Sequence, residues 1–243
     1  MRAYAIGDIH GHRSGLERAH RLIAADRDRV GDSAAPVVHI GDLCDRGPDT
    51  KGVIDVLLTG LDRGEPWVVL KGNHDRMMQR FLETPPRRDP GLRADLSWLH
   101  PNLGGQGTLA SYGVDTGADA ATVHRAALDL VPETHRAFLA GLPTSHRLGA
   151  LFFCHAGIRP GVPLEDQVED DLLWIRGDFL NSTADHGALV VHGHTPVEVV
   201  THYGNRLNID TGAGYGEPLS AVVLEGRQAW LLTEEGRARI VPI

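Results

Sequence analysis

At 243 residues, with 42% hydrophobic and 23% charged side chains, the chain has a globular composition and enough length for a full core. A formal net charge of -8 gives no electrostatic case for nucleic acid or anionic membrane as a partner, so a phosphate substrate must meet local positive charge from metals or arginines. Cys44 and Cys154 imply no disulfide framework, the N-terminus lacks the apolar core of a leader, and no apolar run can span a bilayer; a reduced cytoplasmic setting is expected.

The first predicted strand, Arg2–Ile6, ends at Gly7-Asp8-Ile9-His10-Gly11-His12. Ser14 and Glu17 fit a capping box, opening a helix with Leu16, Ala19, His20, Ile23 and Ala24 on one face. Pro36 opens a second strand, Val37–Ile40, which stops at Gly41-Asp42-Leu43-Cys44-Asp45-Arg46-Gly47. Asp49 or Thr50 caps the next helix, whose stripe is Val53, Val56, Leu57 and Leu61. Trp67–Leu70 is a third strand, followed by Gly72-Asn73-His74-Asp75 and a helix from Arg76. Strand, loop and helix in that order, three times over, argue for parallel strands with crossover helices.

The middle differs in character. Residues 84–91, rich in Pro and Arg, read as a surface loop. Short helices at Asp95–His100 and Thr108–Tyr112 are expected either side of Gly104-Gly105-Gln106-Gly107, and Pro132 and Gly141 bracket a helix over Glu133–Ala140. This block, about residues 83–141, is expected to be a helical insertion covering a site within a single domain of residues 1–243. Strands then dominate: Ala150–Cys154, Ala188–Val191, Val197–His202, Arg206–Ile209, Ser220–Leu224 and Ala229–Leu232. The first two end at His155-Ala156-Gly157 and His192-Gly193-His194-Thr195. The expected fold is α/β, a four-layer α/β/β/α sandwich of two mixed sheets.

Chemistry collects at these strand ends, where open α/β sheets place ligands. Asp8, His10, Asp42, Asn73, His155 and His194 offer oxygen and imidazole donors without thiolate, a set suited to manganese, iron, zinc or magnesium. Six donors are too many for one catalytic ion that keeps positions open. They suit two ions about 3.5–4 Å apart that share a carboxylate and clamp a phosphoryl group. His192 reads as core or as support for the ligands; the cysteines read as small packing residues.

Five of these motifs, Gly7-Asp8-Ile9-His10-Gly11, Gly41 to Gly47, Gly72-Asn73-His74-Asp75, His155-Ala156-Gly157 and Gly193-His194-Thr195, stand in the order of the calcineurin-like metallophosphoesterases. Together with Asp171-Leu172-Leu173-Trp174-Ile175-Arg176 and Gly104-Gly105…Thr108…Ser111-Tyr112-Gly113, they resemble the bacterial phosphoprotein phosphatase branch. The resemblance implies that Asp8 and His10 hold one ion, that Asp42 bridges both, and that Asn73, His155 and His194 hold the second. It implies His74 as the acid for the leaving alkoxide, with Asp45 orienting it, and Arg46 and Arg176 as phosphate-gripping residues. Manganese is the first choice for the ions. The implied activity is phosphomonoester hydrolysis by a metal-bound hydroxide, formed near neutral pH because metals lower the pKa of water to about 7. The implied substrate is a phosphorylated serine or threonine protein or a small phosphate ester. The alternative is a symmetrical diadenosine tetraphosphate hydrolase, whose relatives tend to lack an acid at the position of Asp45, or another nucleotide-directed phosphoesterase. A non-catalytic scaffold is disfavoured because every ligand position is filled.

Overall fold

The computed structural model describes residues 1–243 and sorts the strands into two sheets. In the first, β1 (Arg2–Ile6), β2 (Val37–His39) and β3 (Trp67–Val69) run parallel. β9 (Ala221–Glu225), β10 (Gln228–Thr233) and β11 (Gly236–Ile240) continue it antiparallel, in the order β11-β10-β9-β1-β2-β3. The second sheet has the order β4-β5-β6-β8-β7. Its members are β4 (Ser145–Leu148), β5 (Leu151–Cys154), β6 (Leu189–His192), β7 (Thr201–His202) and β8 (Arg206–Asn208), with β5, β6 and β8 parallel.

Side-chain alternation explains why these sheets stack. Ala3 and Ala5 of β1 point with Leu151 and Phe153 of β5, and Leu189 and Val191 of β6, into a shared core between the sheets. Tyr4 and Ile6 point the other way, into a core shared with α1 (Arg13–Val30), α2 (Thr50–Asp62) and α3 (Asn73–Phe81). Leu109 of α4 (Gly105–Ser111), Val123 and Ala127 of α5 (Ala120–Leu130) and Leu139 of α6 (Glu133–Gly141) join that same core. On the far face, Phe152, Cys154 and Val190 pack under Leu172 of α7 (Glu169–Trp174) and Phe179 of α8 (Gly177–Leu180). The result is the expected four-layer α/β/β/α sandwich of two mixed sheets. None of its helices is long and apolar enough to cross a membrane.

Several local expectations differ from the structure. The Ser14–Glu17 box does not form, because α1 begins at Arg13 and Glu17 pairs with Arg13 at 2.9 Å instead. α3 begins at Asn73, not Arg76, because Asp75 in its first turn accepts from the Gly72 amide at 2.7 Å and caps the helix three residues earlier. Residues 95–100 form turns rather than a helix, with Trp98 buried by tertiary contacts. Of Val197–His202, only Thr201–His202 is strand; Val197 instead bonds the Asp210 carbonyl across the loop. α5, capped by Asp119 on the amides of Ala121 and Thr122, and the strands β4 and β11 have no counterpart in the predicted elements.

Candidate active site

The loops after β1, β2, β3, β5 and β6 meet at one edge of the sandwich, where hydrogen bonds lock them to each other. The amides of Ile9 and His10 donate to the Asp42 carbonyl at 3.1 and 2.7 Å, and the His194 amide donates to Asp8 Oδ2 at 3.0 Å. The His74 amide donates to Asp42 Oδ1 at 3.0 Å. Asp75 accepts from the Leu43 amide, the Cys44 thiol and the Gly72 amide, tying the second loop to the third. Glycine permits the closeness: a Cβ on Gly193 would lie 2.0 Å from Asp8 Oδ1, and one on Gly72 would lie 2.1 Å from Asp42 Oδ1.

Asp42 is the hub. It belongs to two buried groups, His10–Asp42–His74 and Asp42–His155–His194, whose donor atoms lie within 4.8 Å of one another in each. His10 donates Nδ1–H to the Cys44 carbonyl at 2.8 Å, and His155 donates Nδ1–H to the Ile40 carbonyl at 3.1 Å. Those bonds fix the tautomers and leave Nε2 of each ring as a lone pair. The His155 lone pair lies 3.3 Å from Asp42 Oδ1 and 2.9 Å from Asn73 Oδ1, while that of His10 lies 3.5 Å from Asp42 Oδ2. His194 Nδ1 lies 2.8 Å from Asn73 Oδ1 and 3.2 Å from His155 Nε2. Asp8 Oδ1 is buried without a partner. The His155 lone pair thus faces the oxygens of Asp42 and Asn73, and His194 Nε2 is buried without a partner as well, an arrangement that is costly unless a cation sits among these atoms. The donor set therefore fits a divalent-metal centre.

Electrostatics separate the histidines. Burial holds His10, His155 and His194 below the ordinary histidine range, which keeps them neutral, the form that can ligate a metal. Burial opposes the charged form of His74 too, but the carboxylates of Asp42 and Asp45 outweigh it and raise that group. Burial and the nearby Asp210 and Asp42 charges push the Asp8 carboxyl up, and Asp210 itself is pushed up, chiefly by burial, to about 6. Burial would also raise Asp42, yet the surrounding histidines hold it below the usual carboxylate range. The acids at this edge exceed the fixed positive charge beside them.

His74 Nδ1 donates to Asp45 Oδ2 at 2.6 Å. Asp45, fully buried, also accepts from Trp98 Nε1 at 2.8 Å and from Thr108 Oγ1 at 2.7 Å. The Arg46 guanidinium donates to His10 Nε2 at 2.9 Å and approaches His74 Nε2 at 3.3 Å. Arg176 lies exposed on the rim, where its Nη1 contacts Thr195 Oγ1 at 3.4 Å. His192 is core: buried, edge-on to Phe179 and held by burial at about 3. Cys44 and Cys154 are buried, and burial pushes both thiols up.

Four side chains at this edge have contacts that the sequence reading did not assign, although Thr108 stands in one of the quoted motifs. Trp98 and Thr108 reach Asp45 from the segment between β3 and β4. Asp210 faces Asp8, and Tyr215, 67% exposed, places its ring 4.7 Å from the Arg46 guanidinium. Only a residue stretch such as Ile209-Asp210-Thr211-Gly212, another acid at a strand end, could have suggested Asp210.

A two-sheet sandwich with imidazoles and carboxylates gathered at parallel strand ends defines a metallohydrolase architecture. The chain belongs to the calcineurin-like phosphoesterase family, which matches residues 1–223, and is thus a metal-dependent phosphoric ester hydrolase of a family that uses a dinuclear divalent-metal site. It is 28% identical over 245 residues to an asymmetrical bis(5'-nucleosyl)-tetraphosphatase of Geobacillus thermodenitrificans, covering 89% of this chain and 88% of the relative. A tetraphosphatase of the same name from Anoxybacillus flavithermus is 26% identical, with 89% and 88% covered. Among solved structures, a cold-active protein-tyrosine phosphatase of a Shewanella species shares the fold at a TM-score of 0.62 and 15% identity, covering 99% of this chain and 80% of that one.

Proposed function

We propose that the enzyme holds two divalent ions, one on Asp8 and His10 and one on Asn73, His155 and His194, with Asp42 shared, and that it hydrolyses dinucleoside polyphosphates asymmetrically. The observation that carries the ligand assignment is the convergence of unprotonated donor atoms on both oxygens of Asp42. Ions bound there supply charge for phosphoryl oxygens and acidify water. His74, aligned by Asp45, gives its proton to the departing oxygen. Arg46 leaves His10 for the phosphate chain, whose charges its planar fork complements, and Arg176 meets the same chain from the rim. The domain reading is one unit, residues 1–243, with about 83–141 folded over the site; the core shared by Tyr4, Leu109 and Leu139 supports it.

The nucleotide choice rests on two supports. Tyr215 offers an exposed ring beside Arg46, suited to a base stacked next to its phosphates. The named activity of the Geobacillus and Anoxybacillus relatives is the second. A phosphoserine or phosphothreonine peptide is the other reading, favoured by the Asp45–His74 pair, since an alkoxide needs a proton more than a nucleotide does.

The deciding experiment compares kcat/KM of the manganese-loaded enzyme for diadenosine tetraphosphate, phosphopeptides and an aryl phosphate, with product analysis. We expect ATP plus AMP from the tetraphosphate, preferred by at least about tenfold. Two ADP molecules would defeat the asymmetric assignment, and a preferred phosphopeptide would return the enzyme to the protein phosphatases.

A further inference from the structure

A cavity of about 520 Å³ opens beside the metal-ligand edge, between α3, α5 and the loop over residues 86–92. Its volume falls in the range of small-molecule sites. Its floor is aromatic: Phe81 lies 4.9 Å from Trp98 and 5.4 Å from His124, ring centre to ring centre. Its rim is cationic, with Arg87, Arg88 and Arg125. The acid in the lining, Asp89, is buried and already taken by Arg76 at 2.6 and 2.9 Å. Arg87 faces Glu83. Arg88 forms no side-chain hydrogen bond or ion pair, and Arg125 reaches only the Thr122 hydroxyl at 3.3 Å. On a chain of net charge -8, two guanidinium groups that form no ion pair above an aromatic floor select an occupant that is flat at one end and anionic at the other.

One wall of this cavity is also part of the catalytic edge. The Trp98 ring that faces the cavity donates its Nε1–H to Asp45 Oδ2 at 2.8 Å, on the same oxygen that receives His74. Met77, another lining residue, sits one helical turn beyond His74 on α3.

We propose that this cavity is an effector site for a mononucleotide, the base stacked on Phe81 with its edge toward the tilted Trp98 ring and the phosphate held by Arg88 and Arg125, and that occupancy reaches the chemistry through the Trp98–Asp45 hydrogen bond. The inference stands apart from the substrate assignment, because the cavity lies outside the strand-end loops.

The test uses a non-hydrolysable phosphonate analogue of AMP on the manganese-loaded enzyme, by calorimetry. Binding is expected to weaken at least about tenfold in the double variant Arg88→Glu/Arg125→Glu. It is expected to vanish in Ala121→Trp, which fills the cavity, and each variant should keep wild-type turnover of an aryl phosphate. In the wild type, the bound analogue should change kcat for an alkyl phosphate, which depends on the acid His74, more than for the aryl phosphate. Equal binding by the double variant and wild type, undiminished binding by Ala121→Trp, or an unchanged alkyl-to-aryl ratio would each overturn the proposal.

Discussion

His10, Asp42, Asp45, Arg46 and His194 all hold left-handed backbone, with φ between 46° and 74°, and no other non-glycine residue does. Such conformations cost about 1–3 kcal/mol each and persist where the surroundings force them. Here the Asp42 carbonyl, the Asp8 carboxylate and the Thr108 hydroxyl supply that force. For the acid, His74→Ala should lower kcat on alkyl phosphates by about 10²–10⁴-fold and on aryl phosphates far less, with metal content by elemental analysis unchanged. An equal loss on both substrates would remove His74 from that role. Arg176→Ala should raise KM and leave metal content intact; a fall in metal content would make the residue structural. Thr108→Val strips Asp45 of a buried donor and should cost about 1–3 kcal/mol in denaturant unfolding.

Among the elements, α3 does most to assemble the site. Its first turn carries Asn73 and His74, and its Asp75 accepts from its own cap, the Gly72 amide, and from Leu43 and Cys44 in the loop after β2. Asp75→Ala should therefore destabilise the fold by about 2–3 kcal/mol and lower metal content, whereas a residue that only closed its own turn would leave metal content alone. The early start of α3 was hidden because Gly-Asn reads as a turn, and only the contact between Asp75 and the Gly72 amide converts it into a helix entry. α5 does not stand out in the sequence although Asp119 is a good cap, because its apolar stripe is short and alanine-rich. The strands β1, β2, β5 and β6 were legible because each is a short apolar run cut off by glycine or histidine.

At the scale of the whole molecule, buried acids set the response to metal and to acid. Asp8, Asp42 and Asp210 repel one another, so cations that neutralise them should stabilise the fold. At a hundredfold excess over Kd this is worth about 2.7 kcal/mol, and chelation should lower Tm by about 5–10 °C in calorimetry. Remote from the site, Asp26 bridges the first sheet to α1. Burial would raise its pKa, but bonds from Arg237, Arg29 and Tyr4 prevail and hold it at about 2. A depressed carboxylate stabilises above its unfolded value of 3.8 and loses that contribution as pH falls toward 2. Asp26→Asn should thus cost about 2 kcal/mol at pH 7, with the difference from wild type closing between pH 4 and about 2 in urea titrations.

The sequence by itself determined the α/β sandwich and the strand-end loops bearing Asp8, His10, Asp42, Asn73, His74, His155 and His194. Alternation and abrupt strand ends are local patterns that the chain displays whether folded or not. The tertiary structure alone decided what surrounds them. Trp98 and Thr108 close on Asp45 from more than fifty residues away in the chain, and Asp210 and Tyr215 arrive beside Asp8 and Arg46 from the segment between β8 and β9. Such partners are set by the packing of distant segments, which no short-range spacing encodes.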